Sequence, residues 1–133
     1  MKRKSIPPFY GVLTIGLETG YEKVKIDETE IITFIQAYQD ELINNKQIYL
    51  SASIANCTIV LSGQVEPHLT ISFINYPKFE LPPAVLKFEI EELSKQLLLA
   101  FKQNRVVIEY LDEVIMLENS EEIDPRILQK SDV

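Results

Sequence analysis

The chain has 133 residues, 46% of them hydrophobic, a single cysteine and a formal net charge of −7. This size predicts one domain with one hydrophobic core, and one cysteine excludes an intrachain disulfide. The negative charge argues against nucleic acid as a partner, because nucleic-acid binders need a concentrated basic surface. No apolar run reaches the ~20 residues of a membrane span, so we expect a cytoplasmic protein with no membrane partner.

In chain order, the sequence predicts two successive βαβ units. Asp27 followed by Glu30 forms an approximate capping box before the first helix, and Pro82 and Pro83 fit only the first turn of the second. The predicted elements are strand 9–17, helix 28–44, strand 48–54, strand 69–75, helix 83–102 and strand 105–111. This order predicts an α/β (α+β) fold in which two helices cover one face of a four-stranded mixed sheet.

The segments between and after these units are short. Residues 62–68 contain Gly63 and Pro67 and predict a hairpin connection, and residues 114–117 predict a short edge strand. From residue 119 the chain is polar and acidic. We therefore expect a single domain at 1–118 and a polar tail at 119–133 that orders, if at all, against a neighbouring chain.

The predicted strands have two different faces. One parity is apolar and suits the helices, whereas the other carries small hydroxyl residues with few charges. Because solvated faces usually carry more Lys and Glu, we expect the second face to pack against copies of the same chain. Its residues include Thr14, Gly16, Ser51, Ser53, Thr70 and Ser72.

Three stretches of the chain carry a family resemblance: KQIYLSASI at 46–54, SGQVEPHLTISF at 62–73 and NRVVIEYLD at 104–112. In order and spacing they resemble the tautomerase superfamily, in particular the branch of macrophage migration inhibitory factor. The resemblance implies a homotrimer whose sheets enclose a central barrel, with active sites between subunits. It also implies catalysis by a free amino-terminal proline that moves a proton between carbon and oxygen of a keto-enol substrate.

Pro8 matches the position of that proline, but residues 1–7 precede it. An internal proline has an amide nitrogen with no useful basicity, so it cannot act as a general base. Two further candidates are Lys46, a possible cation for a small carboxylate ligand, and Glu109, a possible substitute base. Each also has a structural interpretation: Lys46 complements a helix dipole, and Glu109 pairs with an arginine across a subunit interface.

The remaining chemistry-bearing residues carry weaker signals. Tyr49 and Tyr76 are candidates for lining a ligand pocket, although tyrosine in strands usually serves packing. Cys57 lies among apolar residues and is predicted to be a buried, inert thiol. His68 is the sole histidine and is predicted to be a solvent-facing loop residue, so we expect neither a multi-histidine metal site nor a cofactor.

The sequence leaves three functional hypotheses. The first is a tautomerase-like oligomer that lacks the proline chemistry and binds a small molecule or a protein. The second is an active keto-enol isomerase that uses Pro8 after processing, or Lys46 or Glu109 instead. The third is a ferredoxin-like effector-binding module, which has the same order of elements but interleaves its strands.

Overall fold

The computed structural model of the protein describes residues 1–20, 22–121 and 123. In chain order the elements are β1 (Gly11–Gly16), β2 (Glu18–Thr19), β3 (Val24–Lys25), α1 (Glu28–Lys46), β4 (Ser51–Leu61), β5 (Gln64–Ile74), a 3-10 turn (Pro77–Phe79), α2 (Pro83–Ala100), β6 (Arg105–Tyr110) and β7 (Val114–Glu118). The two predicted helices and the predicted strands are therefore present. Most ends differ by three residues or fewer, but β4 ends at Leu61 rather than 54 and β5 begins at Gln64 rather than 69.

The main sheet has five strands in the order β4-β5-β1-β6-β7, and each neighbouring pair is antiparallel. The expected four-stranded mixed sheet is wrong, because the predicted edge strand joins as a fifth strand and no pair among the described strands is parallel. The two strands of each βαβ unit are not neighbours either, since β1 lies between β5 and β6. This interleaved order is the ferredoxin-like arrangement that the sequence left as the alternative.

The two helices cover one face of this sheet, as the sequence predicts. Leu13 and Ile15 of β1 are fully buried, because the two-residue period of a strand points both toward the helices. From Leu69 to Phe73 in β5, and throughout β6, every second residue is buried against the helices in the same way. The core residues on the strands and helices include Leu13, Ile15, Ile31, Ile35, Leu42, Leu69, Ile71, Phe73, Leu86, Ile90, Leu93, Leu97, Val106, Ile108 and Tyr110.

The ends of α1 follow from local hydrogen bonding. Asp27 caps the helix by accepting the backbone N–H of Thr29 at 2.9 Å, and this hydrogen bond lowers the pKa of its carboxyl group. At the other end Gln47 adopts a left-handed conformation, and Ile48 donates its backbone N–H to the carbonyl of Leu42 at 3.2 Å. This cap extends over residues 47–48, so β4 begins at 51 rather than at the predicted 48.

Strands β4 and β5 form a hairpin that extends past the rest of the sheet. They pair from Ser51 with Ile74 to Leu61 with Gln64, whereas β1 pairs with β5 only as far as His68. The connection is a two-residue turn with Ser62 at a positive φ of 53°, and not the longer loop predicted at 62–68. The end of the hairpin therefore projects beyond β1.

None of the helices that the structure describes is both long and apolar enough to cross a membrane. Of the predicted tail at 119–133, the structure describes residues 119–121 and 123. The prediction for the other tail residues lies outside the described part of the chain.

Candidate functional site

A concavity of about 450 Å³ lies on the sheet face that the helices leave open. The projecting β4–β5 hairpin forms one wall, β6 forms the other, and Thr14 of β1 lies between them. Its volume is within the range of small-molecule sites in proteins. The described lining residues are Thr14, Glu18, Gly20, Ile59, Leu61, Gln64, Glu66, His68, Gln103, Asn104, Arg105, Val106, Val107 and Glu109.

Strand register explains why the hairpin residues meet at this site. Ile59 lies opposite Glu66, and Leu61 lies opposite Gln64. Residues opposite each other in an antiparallel pair share one face, so all four side chains belong to the open face. The wall is therefore apolar on β4 and polar on β5.

The charge of the concavity is predominantly negative. Carboxylates of Glu18, Glu66 and Glu109 line it, and Glu66 is only 8% exposed. Arg105 is the guanidinium among the described lining residues, and its Nε already donates to Glu118 Oε2 at 2.6 Å. Because opposite charges attract most strongly where water is excluded, this surface favours a cationic ligand over an anionic one.

His68 contributes a neutral imidazole to the same wall. Its Nδ1 lies 3.3 Å from the backbone carbonyl oxygen of Glu66. Burial lowers the pKa of His68 below its ordinary value of 6.5, although hydrogen bonds to the Glu66 and Pro67 backbone and the charge of Glu18 act in the opposite direction. The predicted position in a solvent-facing loop is wrong, since His68 is half-buried within β5.

Gln103 holds one end of the concavity together. Its side-chain oxygen accepts the backbone N–H of Gly16 at 3.1 Å, and its amide nitrogen donates to the carbonyls of Glu18 at 3.0 Å and Phe101 at 3.1 Å. A Cβ on Gly16 would lie 2.8 Å from that oxygen, so a larger residue there would require the Gln103 side chain to shift. The bonds connect the end of β1 to the segment before β6.

Of the residues that the sequence singled out, Glu109 lines the concavity. Pro8 lies in a different groove of about 340 Å³, with Phe9, Asn75 and Leu81 among its lining residues. The chain continues through residues 1–7 before Pro8, so its nitrogen is part of a peptide bond.

Lys46 and the two tyrosines occupy other places. Lys46 Nζ lies 2.9 Å from Glu89 Oε1, so its charge is engaged by a buried carboxylate of α2. The ring of Tyr49 stacks on Phe79 with centroids 4.2 Å apart, and Tyr76 lies 6.5 Å from the same ring. The structure does not bring these three residues to the concavity.

Sequence reasoning missed Glu18, Glu66 and Gln103 as site residues. Glu66 was part of the stretch SGQVEPHLTISF, where a carboxylate between Val65 and Pro67 in a strand was a usable signal. Glu18 and Gln103 gave no such signal, because their roles depend on contacts between distant segments. Within the described residues, no group of three His, Cys, Asp or Glu side chains could hold a metal ion.

No family model matches the chain, and no curated protein matches it. Two solved structures are similar to it, and both are of a phage SAM lyase. The complex with S-methyl-5′-thioadenosine is 19% identical, with a TM-score of 0.68, and the apo structure is 20% identical, with a TM-score of 0.70. Each likeness covers 92% of this chain and 98% of the other. At these identities the likeness establishes the shared fold.

Proposed function

We propose that the protein binds S-adenosylmethionine in the acidic concavity and cleaves it to S-methyl-5′-thioadenosine. The observation that carries the proposal is the buried carboxylate of Glu66 in a concavity whose other carboxylates, Glu18 and Glu109, lack a free cationic partner among the described lining residues. The likeness in fold to a phage SAM lyase supports it.

The residues that line the concavity suit the adenine, ribose and sulfonium groups of S-adenosylmethionine. Apolar side chains of Ile59, Leu61 and Val107 offer a surface for the adenine ring. In many nucleotide sites a carboxylate holds the sugar by accepting hydrogen bonds from the ribose hydroxyls. Glu66 supplies such a carboxylate here. The sulfonium cation then meets the field of Glu109 and Glu18.

Cleavage needs no co-reactant. When the bond between sulfur and the γ-carbon of the amino-acid chain breaks, sulfur keeps the electron pair and leaves as a neutral thioether. The carboxylate oxygen of the same amino acid forms the new bond to that carbon, so the second product is a cyclic ester. Because the positive charge on sulfur disappears during this step, carboxylates near the sulfonium contribute to substrate binding more than to the rate of the bond change.

The test is release of S-methyl-5′-thioadenosine from S-adenosylmethionine, measured by chromatography. We expect release by the wild type, and a loss of at least about tenfold in kcat/KM for Glu66→Gln, which keeps the shape but removes the charge. Asp40→Asn, an exposed change on α1, is the matched control and should behave as the wild type. No release by the wild type, or equal rates for both variants, would contradict the proposal.

A second candidate is the tautomerase-like interpretation, in which a homotrimer without proline chemistry binds a small carboxylate between subunits. The observation in its favour is the open sheet face, where Ser53 lies opposite Ser72 and Thr70 lies opposite Thr14 across β4, β5 and β1. For this candidate an assay with phenylpyruvate should show no rate above buffer. Turnover that Pro8→Gly abolishes would instead favour an active isomerase.

A further inference from the structure

A second groove, of about 370 Å³, adjoins the acidic concavity. The two share Gly20, Gln103 and Asn104 as lining residues. The groove continues from there along the C-terminal end of α2, where Leu99 and Lys102 line it. The concavity and the groove therefore meet at these three residues.

Gly20 lies at the boundary between the two spaces. Gly20 has a positive φ of 45°, and its N–H donates to the carbonyl of Lys102 at 3.0 Å. A Cβ at Gly20 would lie 3.6 Å from Asn104 Nδ2, on the side where the spaces meet. A side chain at this position would therefore lie beside Asn104, and the positive φ favours glycine.

The groove carries polar groups of both charges. Lys102 and Glu22 line it from two different segments, and neither forms an ion pair with another residue that the structure describes. Amide side chains of Asn104 and Asn119 lie beside them.

The hydroxyl oxygen of Thr19, also in the lining, is buried and has no hydrogen-bond partner within the described part of the chain. Buried polar atoms in native proteins are nearly always paired, so this hydroxyl is an unpaired polar group beside the groove.

We infer that the groove holds the α-amino and α-carboxylate groups of a ligand whose nucleoside lies in the acidic concavity. The inference rests on the proposed function and adds to it a subsite for a zwitterionic amino acid. The Lys102 ammonium binds the α-carboxylate of the ligand, and the Glu22 carboxylate binds its α-ammonium. The Thr19 hydroxyl completes its hydrogen bonding with that α-ammonium.

The test uses two neutral thioethers that share the adenosine. S-Adenosylhomocysteine carries the amino-acid group, and S-methyl-5′-thioadenosine lacks it. Calorimetric titration of Lys102→Met and Glu22→Gln should show about tenfold weaker binding of S-adenosylhomocysteine and unchanged binding of S-methyl-5′-thioadenosine. Lys95→Met, an exposed change on α2 outside both spaces, should alter neither affinity.

The outcomes separate the subsite from the proposed function. If the wild type binds both ligands and both variants keep wild-type affinity for S-adenosylhomocysteine, the subsite is refuted and the proposed function stands. Equal weakening of both ligands also refutes the subsite, because the two residues would then act on the nucleoside. If the wild type binds neither ligand, the subsite and the proposed function fail together.

Discussion

At the scale of single residues, the site depends on side chains whose charge is set by their surroundings. Glu66 is almost fully buried, and partial burial lowers the pKa of His68 below its ordinary value of 6.5. A carboxylate and a neutral imidazole on one strand give a wall that accepts hydrogen bonds and tolerates a cation. Protonation of His68 would add a positive charge to this wall.

His68 provides a test of these surroundings, since no other histidine is present. Because burial lowers its pKa in the folded chain, the unfolded chain binds the proton first as the pH falls. The contribution of neutral His68 to stability is complete above pH 6.5 and decreases below it, toward the folded-state pKa. We expect its NMR signals to titrate with a midpoint below 6.5.

The comparison variant for this titration is His68→Gln. Its free energy of unfolding, measured by urea denaturation between pH 7.5 and 5.5, should decrease less than that of the wild type. A histidine midpoint at or above 6.5, or parallel curves for the two proteins, would show that the imidazole is solvated.

At the scale of elements, an ion pair connects the two helices. Lys46 in the last turn of α1 binds Glu89 of α2, which is 1% exposed and has a second carboxylate oxygen, Oε2, with no partner among the described residues. The charge of Glu89 also contributes to raising the pKa of Tyr38 to about 12, after the larger effect of burial. Lys46 therefore has a structural role, which the sequence indicated only through its predicted position just after a helix.

Lys46→Met tests this role. The change leaves a buried carboxylate without its cation, which costs about 3–5 kcal/mol in fully buried pairs. Because the Lys46 side chain is 50% exposed, we expect a smaller loss, about 2 kcal/mol, in the free energy of unfolding from urea denaturation. Lys95→Met breaks an exposed pair with Glu92 and should cost less than about 0.5 kcal/mol. Equal losses for the two variants would show that the Lys46–Glu89 pair stabilises the fold no more than an exposed ion pair does.

At the scale of the whole molecule, the open face of the sheet has the character of an interface. Its outer strand β7 exposes Val114 and Met116, and the neighbouring strands place Val12, Thr14 and Val107 beside them. Few of these side chains carry charge, although Glu109 lies among them. A homotrimer formed through this face remains a prediction from the sequence, and it would enclose the concavity.

Sedimentation at micromolar concentration tests the assembly. We expect a species of three times the chain mass of 15.3 kDa. Met116→Lys, which places a charge on the open face, should dissociate it because a buried unpaired charge is costly. Val24→Lys is a matched control at an exposed valine in the separate β2–β3 ribbon and should leave the mass unchanged. A wild-type monomer would refute the prediction.

Local patterns in the sequence predict the order, type and approximate limits of the main elements. Asp27, the apolar spacing along residues 28–44 and the alternation in the strands are local signals, and each depends on neighbours within a few positions. They also identified the parity of each strand that faces the helices. Among the residues that line the concavity, the sequence identifies Glu109, because an acidic residue among apolar ones in a strand is a local signal.

The neighbours of each strand, and with them the position of the site, depend on long-range pairing that no local pattern reveals. Thr14 pairs with Thr70 and Val107, partners more than fifty residues away in the chain, and no local pattern encodes that choice. The same long-range pairing brings the hairpin and β6 to opposite sides of β1, and with them Glu66 and Glu109. Periodicity reports which way a side chain points, whereas a binding site depends on which strand lies next to it.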